Sequence, residues 1–336
     1  MSKQLILLSS LLLCATPLLA ADKLPPIEPP MVNIKGGEFM MGSTRYENSQ
    51  PVHAVTIKPF RMGKFEVTGA EFQRFVEATN YRTSRMCLQL ASKRWFENVP
   101  DEYGPAATTL QTVSKFEPAT CISWSGADAY VKWLAKETGK KYRLPTESEW
   151  EYASRAGSST RYFFGNDESL ACRYGNLADR SAEAAVRRDF GLESKNHVGV
   201  IPCDDKAGYA SIVGMYEPNA FGVYDTLGNV SEFLADCWRE NYDGAPKDGS
   251  ILAGGECKER SLRGGSWHWR GFHESSRSRT DTSAIGALAG FRVAEDIAFL
   301  PTADAKSSAF ELELAQAQQA ERVRRGAIPE IPRPAS

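Results

Sequence analysis

From about Gly157 to Phe291 the chain is dense in glycine, aromatic and turn-forming residues, with few runs long enough for a helix or strand. So long a stretch can be ordered only if cross-links, ions or buried aromatics replace regular hydrogen-bond ladders. Its richness in tryptophan and phenylalanine argues against disorder. Whatever this protein folds into must therefore be held by something besides helices and sheets.

Cysteine is the first candidate for that role. Cys87, Cys121, Cys172, Cys203, Cys237 and Cys257 form an even set beyond the N-terminal segment. That segment reads as a secretory signal over residues 1–20. Lys3 gives a positive start, Leu5 to Leu13 is an apolar run too short to span a bilayer, and Ala20 offers a small residue for cleavage. Cys14 follows Leu13 rather than the small residue that lipid attachment prefers, so it is assigned to the discarded segment. The implied compartment is a periplasm, where an even cysteine count reads as disulfides before free thiols. Neighbour pairing is expected, foremost 172–203 and 237–257, each stapling a loop-rich stretch. Loss of Lys3 changes the formal charge only from −2 to −3. No field strong enough for nucleic acid or anionic lipid results.

Four segments follow: signal peptide 1–20, proline-rich spacer 21–30, a large domain 31–297, and a helical and proline-rich tail 298–336. In the domain, Gly36-Gly37 reads as a hairpin turn into Phe39–Gly42, Val52 to Ile57 as a strand, and Phe60 to Val67 as its continuation in the sheet. Thr68 with Glu71 forms a capping box ahead of a helix burying Phe72, Phe75 and Val76, and Ser123 caps a second helix. Tyr81 to Thr120 lacks periodicity and reads as an exposed insertion. Thr146 with Glu149 caps a third helix, where Glu147, Glu149 and Glu151 read as a solvated face rather than paired catalytic acids. In the tail, Ala303 to Arg325 places Phe310, Leu314 and Ala317 on one face, as a packed appendage or a partner-docking helix.

Four stretches, read in order, resemble the formylglycine-generating-enzyme (sulfatase-modifying-factor) family. They are Phe39–Ser43 with Lys64–Thr68; Tyr142–Ala153; Pro218–Phe233; and Arg263–Trp267, closing with Gly290-Phe291-Arg292. The resemblance covers about residues 31–296 and implies an α+β, C-type-lectin-like fold with little regular secondary structure.

Asp225, Gly228, Val230 and Glu232 combine two carboxylates and two main-chain carbonyls on one tight loop, a hard-oxygen set suited to calcium. The family resemblance places a calcium ion at these positions, and a second, partly matched one at Asn176, the Leu177 carbonyl and Asp205. An ordinary acidic turn is the competing reading of both. His53, His197, His268 and His273 show no zinc or iron-triad spacing.

The resemblance breaks at its chemistry. The enzymes carry two cysteines, five apart, after the Gly-Gly-Ser motif and bind copper through them. Counted from Gly264-Gly265-Ser266, those positions are Trp269 and Glu274 here. Copper(I) needs soft sulfur donors, so no copper is expected and the chain reads as a pseudoenzyme. The implied function is a periplasmic regulator of type VI secretion. It would bind the periplasmic domain of a membrane threonine kinase and, in a wider assembly, an outer-membrane lipoprotein. Its docking surface would lie near Trp267, Trp269, Phe272 and Glu274, with Glu274 at a polar rim, or on the tail helix. The runner-up is an enzyme with copper-independent chemistry, such as the family members that mature siderophore chromophores, using Glu274, His268, His273 and Arg277 as acid–base groups. A carbohydrate-binding module rests on the lectin-like fold alone.

Overall fold

The computed structural model describes residues 24–82, 86–89, 97–100, 114–190, 200–252, 256–269, 273–299 and 308–326. The signal and spacer up to residue 23, His197 and Phe272 lie outside them.

The architecture is α+β. One four-stranded antiparallel sheet runs in the order β1 (Met31–Ile34), β4 (Phe60–Gly63), β12 (Ala294–Asp296) and β7 (Lys141–Arg143). A second runs β10 (Ser278–Asp281), β9 (Glu259–Arg263), β8 (Ser231–Cys237) and β11 (Ala289–Gly290), the last pairing parallel to β8. Two antiparallel pairs stand apart: β2 (Gly37–Met41) with β3 (His53–Ile57), and β5 (Met86–Gln89) with β6 (Glu97–Pro100).

This pairing corrects the expected Gly36-Gly37 hairpin. β1 and β2 belong to different sheets, and the glycines carry the chain between them. Gly36 sits at φ +73°, where a Cβ would meet the Ile57 carbonyl oxygen at 2.4 Å. Local turn chemistry was legible, but which strands pair is a long-range choice. Likewise β4 joins β1 and β12 rather than extending the sheet of β3.

Three helices behave as their caps imply. Thr68 and Glu71 close a capping box on α1 (Gly69–Thr79), and Thr146 and Glu149 close another on α3 (Glu147–Arg155). The Ser123 hydroxyl accepts from the Gly126 N–H at the start of α2 (Trp124–Thr138). α1 and α2 bury Phe72, Phe75, Tyr130 and Trp133 around Phe291, with ring centroids 5.3–6.2 Å apart. Trp150 of α3 joins a neighbouring core with Ile34, Met62 and Leu234.

Two regions differ from expectation. The stretch after Tyr81 is not wholly an exposed insertion. Phe116 to Thr120 is buried, Thr68 bridges Pro118, and Cys87 is buried against Cys121. In the glycine-rich half a helix was missed: α5 (Arg180–Phe190), beyond the short α4 (Ala171–Tyr174), buries Ala182, Ala185 and Val186. Its three arginines, Arg180, Arg187 and Arg188, masked the apolar stripe.

The cross-links are Cys87–Cys121, Cys172–Cys203 and Cys237–Cys257, as neighbour pairing predicts. They close loops of 34, 31 and 20 residues. Closures of this length each stabilise by about 3–4 kcal/mol in the chain-entropy picture. The tail helix α6 (Ala309–Arg324), capped by Ser308, packs Phe310, Leu314 and Ala317 on Phe116, Val213 and Tyr216. At its end Arg325 reaches Ser211 Oγ (2.7 Å) and the Tyr216 hydroxyl (3.2 Å). Its apolar face is thus covered by the domain itself.

Candidate functional site

Around α3, acidic side chains turn inward rather than to solvent, contrary to the expected solvated face. Glu147, Glu149 and Glu151 are all buried. Glu149 closes its cap and accepts two bonds from Arg143 at 2.7 Å. Arg263, itself fully buried, donates to Glu147 (2.9 Å), Glu151 (2.7 Å), the Tyr242 hydroxyl (2.6 Å) and the Glu274 carbonyl (2.6 Å). Arg277 donates to both Glu147 oxygens (2.6 and 3.1 Å), and Arg155 donates to Glu151 (2.9 Å). Burial opposes ionisation of Glu147, but Arg277 and Arg263 overcome it and hold the carboxyl down at about 2. Arg277 is therefore committed to this network and is not free for acid–base work.

A second buried cluster lies under the loop Asp225–Glu232. Asp225 and Asn229 (φ 57° each) and Gly228 (φ +81°) fold it tightly, and a Cβ on Gly228 would overlap the Asn176 carbonyl oxygen at 1.8 Å. Arg292 grips both Glu232 oxygens (2.6 and 2.7 Å), and Trp150 Nε1 donates to the same carboxylate (2.9 Å). One Asp225 oxygen accepts the Gly214 N–H (2.6 Å), while Oδ1 is buried without a partner. Glu66, which sequence reasoning passed over as part of a family motif, joins them. Its Oε2 accepts from Asn229 Nδ2 (3.3 Å) and its Oε1 is unpartnered. Three carboxylates face one guanidinium. Burial, and then the Asp225 charge, push the Glu66 carboxyl well up; burial, with Glu232 adding to it, raises Asp225 to about 6.

The second candidate set is also brought together. Asp205 accepts the Ala207 N–H (2.7 Å) and the Leu177 N–H (3.3 Å), so Leu177 meets it through its amide. The Asn176 Oδ1 is buried and unpartnered, while its Nδ2 donates to the Tyr209 carbonyl (2.8 Å). Asp179, unanticipated, caps α5 through the Ala182 N–H (2.9 Å) and also takes the Asp205 N–H. Burial and the Asp179 charge hold the Asp205 carboxyl well above its usual range. Among the described residues no three His, Cys, Asp or Glu side chains could hold a metal ion by themselves. A calcium ion at either set would need main-chain oxygens as well. The unpartnered Asp225, Glu66 and Asn176 oxygens fit such an ion. The Arg292 grip on Glu232 fits it less well.

At the positions of the family's thiolates stand a half-buried Trp269, its ring edge-on to His268, and a buried Glu274. Glu274 Oε1 accepts the Phe163 N–H (2.7 Å), and its Oε2 is unpartnered. Burial raises its carboxyl to about 8, despite those backbone bonds. Glu274 is thus inside the fold, not at a polar rim. Trp267 is only 1% exposed, packed with Val186, so it too is no surface anchor. Of the docking candidates within the described residues, Trp269 alone reaches the surface. The nearest cysteine in sequence, Cys257, is bonded to Cys237.

Cross-linked loops around two small sheets, with a Gly-Gly-Ser strand end leading into the site, define a loop-built α+β domain. The family model of the sulfatase-modifying factor enzyme 1-like domain matches residues 19–297, and the chain belongs to that family. The formylglycine-generating enzyme of Mus musculus is 27% identical over 310 residues, 82% of this chain and 76% of the relative. The inactive C-alpha-formylglycine-generating enzyme 2 of the same organism is 27% identical over 253 residues, 68% and 74% respectively. Serine/threonine-protein kinase pkn1 of Chlamydia pneumoniae is 28% identical over 280 residues, 81% of this chain but 39% of the kinase. Among solved structures, PvdO from Pseudomonas aeruginosa superposes with a TM-score of 0.66 at 30% identity, covering 80% of this chain and 95% of that one. The family therefore holds enzymes and members named inactive.

Proposed function

We propose that the chain is a non-catalytic periplasmic regulator that binds the periplasmic part of a membrane threonine kinase and promotes type VI secretion, the role of the TagR regulators. The observation that carries the non-catalytic half is the replacement of both thiolate positions by Trp269 and a buried Glu274, within a fold otherwise kept whole. A copper-dependent step is no part of this reading. An inactive family member and a kinase containing a similar stretch support it further. Calcium is proposed as a structural ion at the Asp225 loop, with Glu66 as an added carboxylate and Asn176, Leu177 and Asp205 as a second set.

Docking would centre on Trp269, since a few accessible aromatic anchors carry most interface energy. Trp269→Ala is expected to weaken capture of the kinase's periplasmic domain by about 2 kcal/mol. Glu274→Gln, changing an interior group, should leave capture intact. One observation favours a second reading: a buried carboxyl raised to about 8, with a free oxygen at the former reaction centre, suits an acid–base group. If Glu274→Gln binds normally yet abolishes secretion activation in the cell, catalysis replaces regulation by docking.

A further inference from the structure

Beside the former reaction centre, a cleft of about 430 Å³ opens between the loop after β2, the end of α3 and the segment around His273. Arg45, Arg155 and Arg161 line it with hydroxyl groups such as Thr160 and Ser275, and no acidic side chain is among its lining residues. Arg155 is partly neutralised by Glu151 (2.9 Å), and Arg161 more loosely by Glu168 (3.6 Å). Arg45 is exposed, and no ion pair ties it among the described residues. His273 forms part of the wall, 4% exposed, its ring stacked on Tyr46 at 5.4 Å. Its Nδ1 meets Ser275 Oγ at 2.9 Å, while its Nε2 is buried with no partner.

A buried ring nitrogen left unsatisfied is costly unless something completes it. When the Ser275 hydroxyl donates to Nδ1, Nε2 carries the proton and becomes a donor. The cleft itself presents guanidiniums and hydroxyls, with the His273 ring in its wall and Nε2 buried there. The geometry points to a binding site for a phosphate-bearing small molecule in this cleft, held by Arg45 and Arg161 against a wall that includes the His273 ring. Guanidinium forks match phosphate oxygens, and the volume lies in the range of organic ligand pockets, well beyond a bare anion. Burial, then Arg161 and Arg45, press the His273 ring towards neutrality, down to about 4, as expected where guanidiniums crowd a ring without a counter-anion. The inference is independent of the docking reading, since neither Trp269 nor a protein partner enters it.

The test is calorimetric titration of the full mature chain at low salt with inorganic phosphate and phenyl phosphate, acetate serving as the monoanion control. Both phosphates are expected to bind, phenyl phosphate the tighter, with acetate at least tenfold weaker. Arg45→Ala, an exposed change that should leave the melting temperature alone, should weaken phosphate binding about tenfold, and adding Arg161→Ala should abolish it. His273→Gln should weaken phenyl phosphate several-fold. Arg187→Ala, on the separate basic face of α5, should change nothing. Unaltered binding in the Arg45→Ala/Arg161→Ala protein, loss in Arg187→Ala, or acetate binding as tightly as phosphate would each overturn the assignment.

Discussion

Trp150 meets two buried ionic clusters, through Glu232 and Arg263, and they are built differently. At Glu147 and Glu151, two carboxylates meet three guanidiniums, and Tyr242 and main-chain carbonyls take up the remaining donors. At Glu66, Asp225 and Glu232, three carboxylates share Arg292, and two oxygens have no partner. Buried charge is tolerable only when paired and hydrogen-bonded. The first cluster meets that condition within the protein. The second leaves negative charge in excess, and that difference separates a device that ties elements together from one suited to a cation.

The largest effect expected comes from breaking the balanced cluster. Arg263→Met would leave Glu147 to Arg277 alone and Glu151 to Arg155 alone, and removing one partner of such a network costs about 3–5 kcal/mol. Urea unfolding should show this loss equally with calcium and with chelator. Arg292→Met, in the acid-rich cluster, should also destabilise, but calcium should restore part of the loss. If calcium rescues both variants or neither, the two clusters are not distinct in the way argued.

A smaller effect sharpens the same contrast. Calcium at a hundred times its dissociation constant should stabilise the parent protein by about 2.7 kcal/mol, measured as a higher melting temperature than with chelator. Asp225→Asn should erase most of that difference. Glu66→Gln, the neutral isostere of a carboxyl that burial already pushes well up, should change the melting point in chelator little while shrinking the calcium response. Identical melting points in all conditions would remove the ion.

The smallest effect concerns Glu274, a buried acid whose carboxyl has no guanidinium bonded to it among the described residues. Its folded value, about 8, lies above the ordinary 4.5. The native state therefore keeps a proton that the unfolded chain releases, so stability is full below about pH 4.5 and declines as pH rises towards 8. Glu147, held at about 2, acts oppositely: its contribution is present above pH 4.5 and fades as pH falls towards 2. Melting curves from pH 5 to 8 should fall for the parent and less steeply for Glu274→Gln, since Asp225, Glu71 and Asp236 are raised into the same range. Parallel curves would show that folding does not raise the Glu274 carboxyl.

The sequence alone determined what depends on local chemistry. The caps at Thr68, Ser123 and Thr146 were readable because each is settled within three residues. An even cysteine count pointed to disulfides, and the expected neighbour pairing is the one the fold adopts. That Trp269 and Glu274 stand at the thiolate positions needed only a motif to count from. The tertiary structure decided everything that requires distant partners. Glu147 and Glu151 looked like solvated helix acids until Arg263 and Arg277, more than a hundred residues away, drew them inside. Glu66 was invisible as a site residue because Asn229 and Asp225, which give it meaning, come from another loop. Trp267 and Glu274 read as surface because a motif carries no burial. Burial and charge pairing are properties of what the rest of the chain brings alongside a residue, and spacing along one segment does not encode them.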